Sequence, residues 1–102
     1  MKSITATELA RLIDSKSDFQ LIDVREPEEH AAFNIGGLLI PLNEIVQQAG
    51  KIAADKPVII YCHHGIRSQI AIQRLQEKFA FTNLINLIGG TAAWEKQFTP
   101  NP

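Results

Sequence analysis

One stretch of the sequence brings a nucleophile and anion-binding groups within six residues of each other. It reads Cys-His-His-Gly-Ile-Arg, from Cys62 to Arg67, and Cys62 is the only cysteine of the chain. A cysteine thiolate is a nucleophile, and an arginine guanidinium can hold an oxyanion with two parallel hydrogen bonds. Gly65 lets the chain curl so that backbone N–H groups point inward as an anion cradle. The stretch therefore predicts chemistry on an anionic substrate, with Cys62 and Arg67 as the catalytic residues.

The segments that flank this stretch indicate where the thiol lies. Val58–Tyr61 is apolar and rich in β-branched residues, which is typical of a parallel strand buried on both faces. Helical periodicity then predicts a helix over about 68–79. Ligands of parallel α/β sheets bind at the carboxyl ends of the strands, where the N-terminus of the next helix attracts an anion. We therefore expect Cys62 at this edge, in a position that favours the thiolate.

The rest of the chain alternates short apolar segments with segments of helical periodicity. Thr5 and Glu8 have the spacing of a capping box, which begins a helix. Strands are predicted at 19–24, 38–40, 58–61 and 84–88, and further helices at 27–33, 42–49, 68–79 and 91–98. This alternation predicts an α/β protein, a three-layer α/β/α domain with a mostly parallel central sheet.

Size and composition fit one globular domain over residues 1–102. Hydrophobic residues make up 45% of the chain and charged residues 21%, a balance that excludes intrinsic disorder. The net charge of −1 is unsuited to nucleic acid, and the apolar runs are too short to span a membrane. No apolar signal-peptide segment follows the N-terminus, so we expect a cytoplasmic protein. We expect about 4–98 to form the ordered core and 99–102 a frayed tail.

Other roles for the cysteine and the neighbouring histidines are weaker. Cys62, His63 and His64 are adjacent, and adjacent side chains rarely converge on one metal. His30, expected to be solvated, lies on a separate predicted helix, so we expect no metal and no cofactor. His63 and His64 are expected to line the mouth of the pocket, and Ile66 to shape it. A catalytic pair of Cys62 with a histidine stays open, although sequence neighbours on a loop usually point apart.

Four motifs, in this order, resemble the rhodanese sulfurtransferase family. They read LIDVREPEE at 21–29, IGG at 35–37 followed by IPL at 40–42, IYCHHGIRS at 60–68, and LIGG at 87–90 followed by Trp94. The resemblance covers nearly the whole chain and implies a rhodanese-like fold. It also implies an activity: in this family a cysteine takes the outer sulfur of thiosulfate or of a persulfide. The cysteine carries that sulfur as a persulfide and passes it to cyanide or a thiol.

The resemblance also implies roles for individual residues. By position, Cys62 carries the sulfur, Arg67 holds the sulfonate of the donor, and the backbone of the loop cradles the persulfide. The implied partners are small donors and acceptors such as thiosulfate, cyanide and thiols, together with a cysteine desulfurase or another sulfur-relay protein. The implied substrate-binding residues are His63, His64, Gly65, Ile66 and Ser68.

Residues outside the loop are expected to support it. Asp23 and Arg25 follow a predicted strand, and either they contact the loop by a hydrogen bond and a positive field or they serve the fold alone. In the second interpretation, which we prefer, Arg25 pairs with Glu28 or Glu29 and Asp23 caps the short helix. The Gly89-Gly90 pair is expected to let the backbone pass close to the cysteine loop.

Two alternative functions stay open. The six residues from Cys62 to Arg67 match the sulfurtransferase loop, whereas related phosphatases space the two residues more widely. Phosphatase or arsenate reductase chemistry is therefore the weaker alternative. The other is a non-catalytic sulfur-carrier or partner-binding module, which receives sulfur from a partner protein and uses small donors poorly.

Overall fold

The computed structural model describes residues 1–98, which fold around a five-stranded sheet. The strands are β1 (Lys2–Ile4), β2 (Gln20–Asp23), β3 (Leu38–Leu39), β4 (Val58–Tyr61) and β5 (Leu84–Leu87). Their order across the sheet is β1-β5-β4-β2-β3, and every neighbouring pair is parallel. β4 therefore lies in the middle of the sheet, and all of its residues are buried.

Helices cover both faces of the sheet. They are α1 (Ala6–Asp14), α2 (Pro27–Ala32), α3 (Ile66–Lys78) and α4 (Gly90–Phe98). Ile60 of β4 belongs to the same buried cluster as Ile72 of α3, whereas Ile59 and Tyr61 cluster with Leu9 of α1. Alternate residues of β4 thus point into two separate cores, which explains why this strand has no polar face. The predicted α/β fold class with a parallel sheet is confirmed.

The N-terminal segment contains a strand that the sequence analysis does not predict. β1 pairs with β5, with Lys2 opposite Ile85. Three residues are too few to show a pattern, and their partner strand lies at the other end of the chain. α1 follows directly and starts at the predicted capping box, in which Thr5 and Glu8 exchange side-chain-to-backbone hydrogen bonds of 3.1 and 3.0 Å.

The helix predicted at 42–49 is wrong. That segment contains two 3₁₀ turns, Leu42–Glu44 and Ala49–Lys51. The four apolar side chains of the predicted pattern, at 42, 45, 46 and 49, all lie in or against one core. Their spacing therefore reflects burial in that core and not a continuous helix. The adjacent β-branched residues Ile45 and Val46 disfavour a helix, and packing against the sheet holds the segment instead.

α3 starts at Ile66, two residues earlier than predicted. Gly65, with a φ of +93°, turns the chain directly from the loop into the helix. A side chain there would be strained, and its Cβ would lie 3.2 Å from the backbone nitrogen of Gly89. Arg67 and Ser68 consequently belong to the first turn of the helix.

The predicted tail, residues 99–102, lies outside the described residues. Within residues 1–98, no helix combines the length and apolar character needed to cross a membrane.

The start of α4 packs against the backbone that follows β4. The Thr91 N–H donates to the carbonyl of Cys62, and the Ala92 N–H donates to the carbonyl of His63, both at 2.9 Å. Gly90 has a φ of +57°, and a Cβ there would lie 2.1 Å from the Cys62 carbonyl oxygen. The lack of a side chain at Gly90 is what permits this contact.

Replacing Gly90 with alanine is expected to lower the free energy of unfolding more than the same replacement at a glycine that has open space around it. Gly36→Ala is the matched control, because Gly36 also has a positive φ, +102°, but a Cβ there meets nothing within 4 Å. Backbone strain alone should cost Gly36→Ala about 1–2 kcal/mol. Gly90→Ala should lose at least about 2 kcal/mol more, because backbone must also move. Urea unfolding measures both, and equal losses would contradict the close packing of α4 on the loop.

Candidate active site

Cys62 follows the central strand directly, and its side chain is buried. Its sulfur accepts the backbone N–H of Gly65 at 3.1 Å and that of Ser68 at 3.3 Å. Two N–H donors directed at one atom form a small anion-binding cradle at the carboxyl edge of the sheet. The donors belong to the loop and to the first turn of α3, and they stabilise negative charge on the sulfur.

A chain of hydrogen bonds leads from β5 to the same sulfur. The Ser68 hydroxyl lies 3.5 Å from the Cys62 sulfur and donates to the side-chain carbonyl of Asn86. Both Ser68 and Asn86 are buried. Because the hydroxyl proton is directed to Asn86, the Ser68 oxygen is the acceptor in its contact with the sulfur, and the Cys62 S–H group is the donor. Sequence reasoning missed Asn86; a polar residue within an otherwise apolar strand is the signal that marks it.

Arg67 makes a contact that the sequence analysis did not anticipate. Its guanidinium donates to both carboxylate oxygens of Glu29 on α2, at 2.7 and 2.9 Å. About a third of each side chain is exposed, 34% for Arg67 and 35% for Glu29, so the pair lies at the surface end of the site. The bond to Arg67, aided by the backbone N–H of Glu26, lowers the pKa of Glu29 to about 2. The Glu29 carboxylate in turn raises the pKa of Arg67.

The preferred interpretation of Asp23 and Arg25 is wrong in its partners. Arg25 pairs with Asp23, with guanidinium contacts of 2.9–3.2 Å, and not with a glutamate of α2. Asp23 accepts the backbone N–H of Arg25 instead of capping α2. Burial explains the choice, because both side chains are almost wholly removed from water and each needs a counter-charge.

The same pair ties α2 to the end of β2. His30, expected to be solvated, has a side chain only 24% exposed, and its Nδ1 lies 2.8 Å from Asp23. Arg25 also donates to the carbonyl of Phe33, just after α2, at 2.6 Å. α2 is the helix that carries Glu29, so the buried network fixes the helix that presents a carboxylate to Arg67.

The two histidines of the loop lie outside the cradle. His63 and His64 are exposed, and their rings contact each other with centroids 4.1 Å apart. His63 Nδ1 lies 3.0 Å from the Thr91 hydroxyl, whereas no hydrogen bond joins either ring to Cys62 among the described residues. Ile66 is 66% exposed. Solvent therefore reaches all three side chains, and among residues 1–98 the hydrogen-bond contacts of the Cys62 sulfur are with Gly65 and Ser68.

Groups suited to metal binding are scattered. Across residues 1–98, no three side chains among histidine, cysteine, aspartate and glutamate lie together in a way that could hold a metal ion. The site is built instead from a thiol, backbone N–H groups, a hydroxyl, an amide and an ion pair.

Known proteins resemble this chain over most of its length. The family model described as a rhodanese-like domain matches residues 5–97. Thiosulfate sulfurtransferase GlpE from Coxiella burnetii is 37% identical over 98 residues, which cover 92% of this chain and 87% of GlpE. The probable adenylyltransferase/sulfurtransferase MoeZ from Mycobacterium tuberculosis is 37% identical over 102 residues; these cover 97% of this chain but only 26% of MoeZ. The structure of the human single-domain sulfurtransferase TSTD1 superposes with a TM-score of 0.80 at 26% identity, covering 97% of this chain and 99% of that chain.

Removing the buried carboxylate should be costly. Asp23→Asn leaves Arg25 buried without its counter-charge, and we expect a loss of about 3–5 kcal/mol in the free energy of unfolding. Asp18→Asn, which breaks the exposed pair between Asp18 and Lys56, is the control and should change little. Urea unfolding measures both variants. A small effect of Asp23→Asn would show that the network does not hold α2 in place.

The surface ion pair should contribute to stability only where Glu29 is charged. The pKa of Glu29 falls from 4.5 to about 2 on folding, so its contribution is fully present above pH 4.5 and is lost as the pH falls towards 2. Because the pair is partly exposed, the contribution is at most about 1 kcal/mol. The difference in unfolding free energy between wild type and Glu29→Gln, followed from neutral pH down to about pH 3, measures it. A difference that does not shrink on acidification would contradict this assignment.

Proposed function

This chain belongs to the rhodanese-like domain family, and we propose that it is a sulfurtransferase that works through a persulfide on Cys62. The observation that carries the proposal is the pair of N–H groups, from Gly65 and Ser68, directed at the Cys62 sulfur. That sulfur carries negative charge before it attacks a donor and again after an acceptor has removed the outer sulfur, and two fixed N–H donors stabilise the charge in both states. The proposed donor is thiosulfate or a persulfide, and the proposed acceptor is cyanide or a thiol.

In the first half of the proposed reaction, the Cys62 thiolate attacks the outer sulfur of the donor. With thiosulfate, a bond forms between the two sulfurs, the donor S–S bond breaks, and sulfite leaves with the electron pair. Arg67 lies one residue before Ser68 in the first turn of α3, and its guanidinium is suited to hold the sulfonate oxygens. With a persulfide donor, a thiolate leaves in place of sulfite.

In the second half, the acceptor attacks the outer sulfur of the Cys62 persulfide. The S–S bond breaks, its electron pair returns to the Cys62 sulfur, and the N–H groups of Gly65 and Ser68 receive the charge. A thiol acceptor gives up its proton to solvent before it attacks. Electrons balance between the two halves, so the reaction needs no metal and no cofactor.

The remaining side chains have proposed roles that follow from their positions. His63, His64 and Ile66 form the exposed mouth through which donor and acceptor arrive. Gly90 lets the start of α4 approach the loop backbone, and Asp23 with Arg25 fixes α2. Gly89 does not have the expected role against the loop, because a Cβ there would meet Ala93 of α4.

A carrier role within a larger system is the second candidate. Since this chain corresponds to about a quarter of MoeZ, a probable adenylyltransferase/sulfurtransferase, a domain of this kind also occurs within a longer protein. In such a setting Cys62 would receive sulfur from a protein such as a cysteine desulfurase, in the cytoplasm, and small donors would be poor. Rapid uptake from a desulfurase together with slow turnover of thiosulfate would favour this candidate.

The persulfide is directly observable by intact mass. Incubation with thiosulfate should add the mass of one sulfur atom to the wild type, and cyanide should remove it with formation of thiocyanate. Cys62→Ser should gain no mass, because an alcohol does not attack sulfane sulfur under these conditions. Absence of the adduct from every donor, or an adduct that persists in Cys62→Ser, would overturn the proposal. Hydrolysis of an aryl phosphate that requires Cys62 would favour the phosphatase alternative.

A further inference from the structure

The contact between Glu29 and Arg67 has the form that a bound oxyanion would take. The two carboxylate oxygens accept parallel hydrogen bonds of 2.7 and 2.9 Å from the two terminal nitrogens of the guanidinium, Nη1 and Nη2. A sulfonate would use the same donors in the same way. The Glu29 carboxylate therefore occupies the N–H groups of Arg67 that would hold the sulfonate oxygens of thiosulfate in the proposed reaction.

The carboxylate is held firmly in this position. One of its oxygens also accepts the backbone N–H of Glu26 at 3.1 Å. Its helix, α2, is also held by the contact of His30 with Asp23 and by the bond from Arg25 to the carbonyl of Phe33. Glu29 thus meets Arg67 from a supported helix and not from a free loop, so a competing anion has to displace a positioned group.

Acidification near neutral pH does not remove this competitor. Arg67 holds the pKa of Glu29 at about 2, so the carboxylate keeps its charge under all ordinary conditions. A dianion that approaches Arg67 therefore meets both a competitor for the guanidinium and a like charge beside it. A donor without a sulfonate does not compete with Glu29 for the guanidinium, since it needs only the sulfur cradle of Cys62. A persulfide also carries one negative charge where thiosulfate carries two, so its repulsion by the Glu29 carboxylate is smaller.

We propose that Glu29 is a specificity-determining residue that lowers the use of thiosulfate and favours persulfide donors. The proposal rests on the proposed function, in which Cys62 accepts sulfane sulfur. With a persulfide of the form R–S–S⁻, the Cys62 thiolate attacks the outer sulfur, the S–S bond breaks, and R–S⁻ leaves with the electron pair and is protonated by water.

The test compares two glutamate variants of the same helix. Glu29→Gln removes the charge of the competitor, whereas Glu28→Gln removes an equal charge from an exposed side chain that forms no ion pair among the described residues. The donors are thiosulfate and the persulfide of 2-mercaptoethanol, which has no sulfonate, with cyanide as the acceptor for both. The measured quantity is the ratio of kcat/KM for thiosulfate to kcat/KM for the persulfide, in which differences in the active fraction cancel.

We expect Glu29→Gln to raise this ratio roughly three- to tenfold, mainly through a lower KM for thiosulfate, and Glu28→Gln to leave it within about twofold. Glu29→Ala, which cannot accept a hydrogen bond at all, must shift the ratio in the same direction. If Glu29→Gln and Glu28→Gln behave alike, the role of Glu29 is wrong while the sulfurtransferase proposal stands. If the wild type takes sulfur from neither donor, the proposed function itself fails.

Discussion

The site depends on one junction, where the central strand ends and α3 begins. β4 is buried on both faces, so the position at which Cys62 leaves the sheet is fixed by two cores at once. Gly65 then turns the chain within a few residues, and the first helical turn brings the Ser68 N–H back onto the sulfur. α4 holds this short loop from the other side. The loop backbone packs against Gly90, and the N–H groups of Thr91 and Ala92 donate to the loop carbonyls. An anion cradle made of backbone needs this rigidity, because an N–H group stabilises charge only if it already points at it.

The charged side chains around this junction form two groups, an inner one and an outer one. The inner group, the buried pair of Asp23 and Arg25 with the half-buried His30, acts on the fold, because it secures α2 to the end of β2. The outer group, Glu29 with Arg67, is partly exposed, and we propose that it acts on the donor that reaches the sulfur. The inner group positions the outer one, because Glu29 lies on α2, the helix that Asp23 and Arg25 hold in place.

The features that the sequence predicts are those with local causes. The β-branched run of β4, the capping box at Thr5 and the proline that opens α2 each act within a few residues, and those elements form as expected. The errors arise where distant contacts decide. β1 exists because of β5, the segment at 42–49 is shaped by the core, and the partners of Arg67 and Ser68 lie 38 and 18 residues away. The resemblance of four motifs identifies the cysteine loop, but no local pattern shows which carboxylate meets which cation. The roles of the site residues stay predictions for this reason, although the geometry around Cys62 is the one that the loop sequence favours.

An ion pair at the mouth of the site changes what the arginine can do. A guanidinium without a partner, a few residues from a nucleophilic sulfur, attracts any small oxyanion, and most such anions carry no sulfur to transfer. The Glu29 carboxylate raises the affinity for Arg67 that an anion needs, because only a ligand that binds Arg67 better than Glu29 does can displace the carboxylate. It also compensates the positive charge of Arg67, while the backbone cradle around Cys62 is unchanged. In the proposed reaction, transfer of the sulfur and recognition of the donor thus depend on different groups, so selectivity for the donor can vary through α2 without any alteration of the cysteine loop.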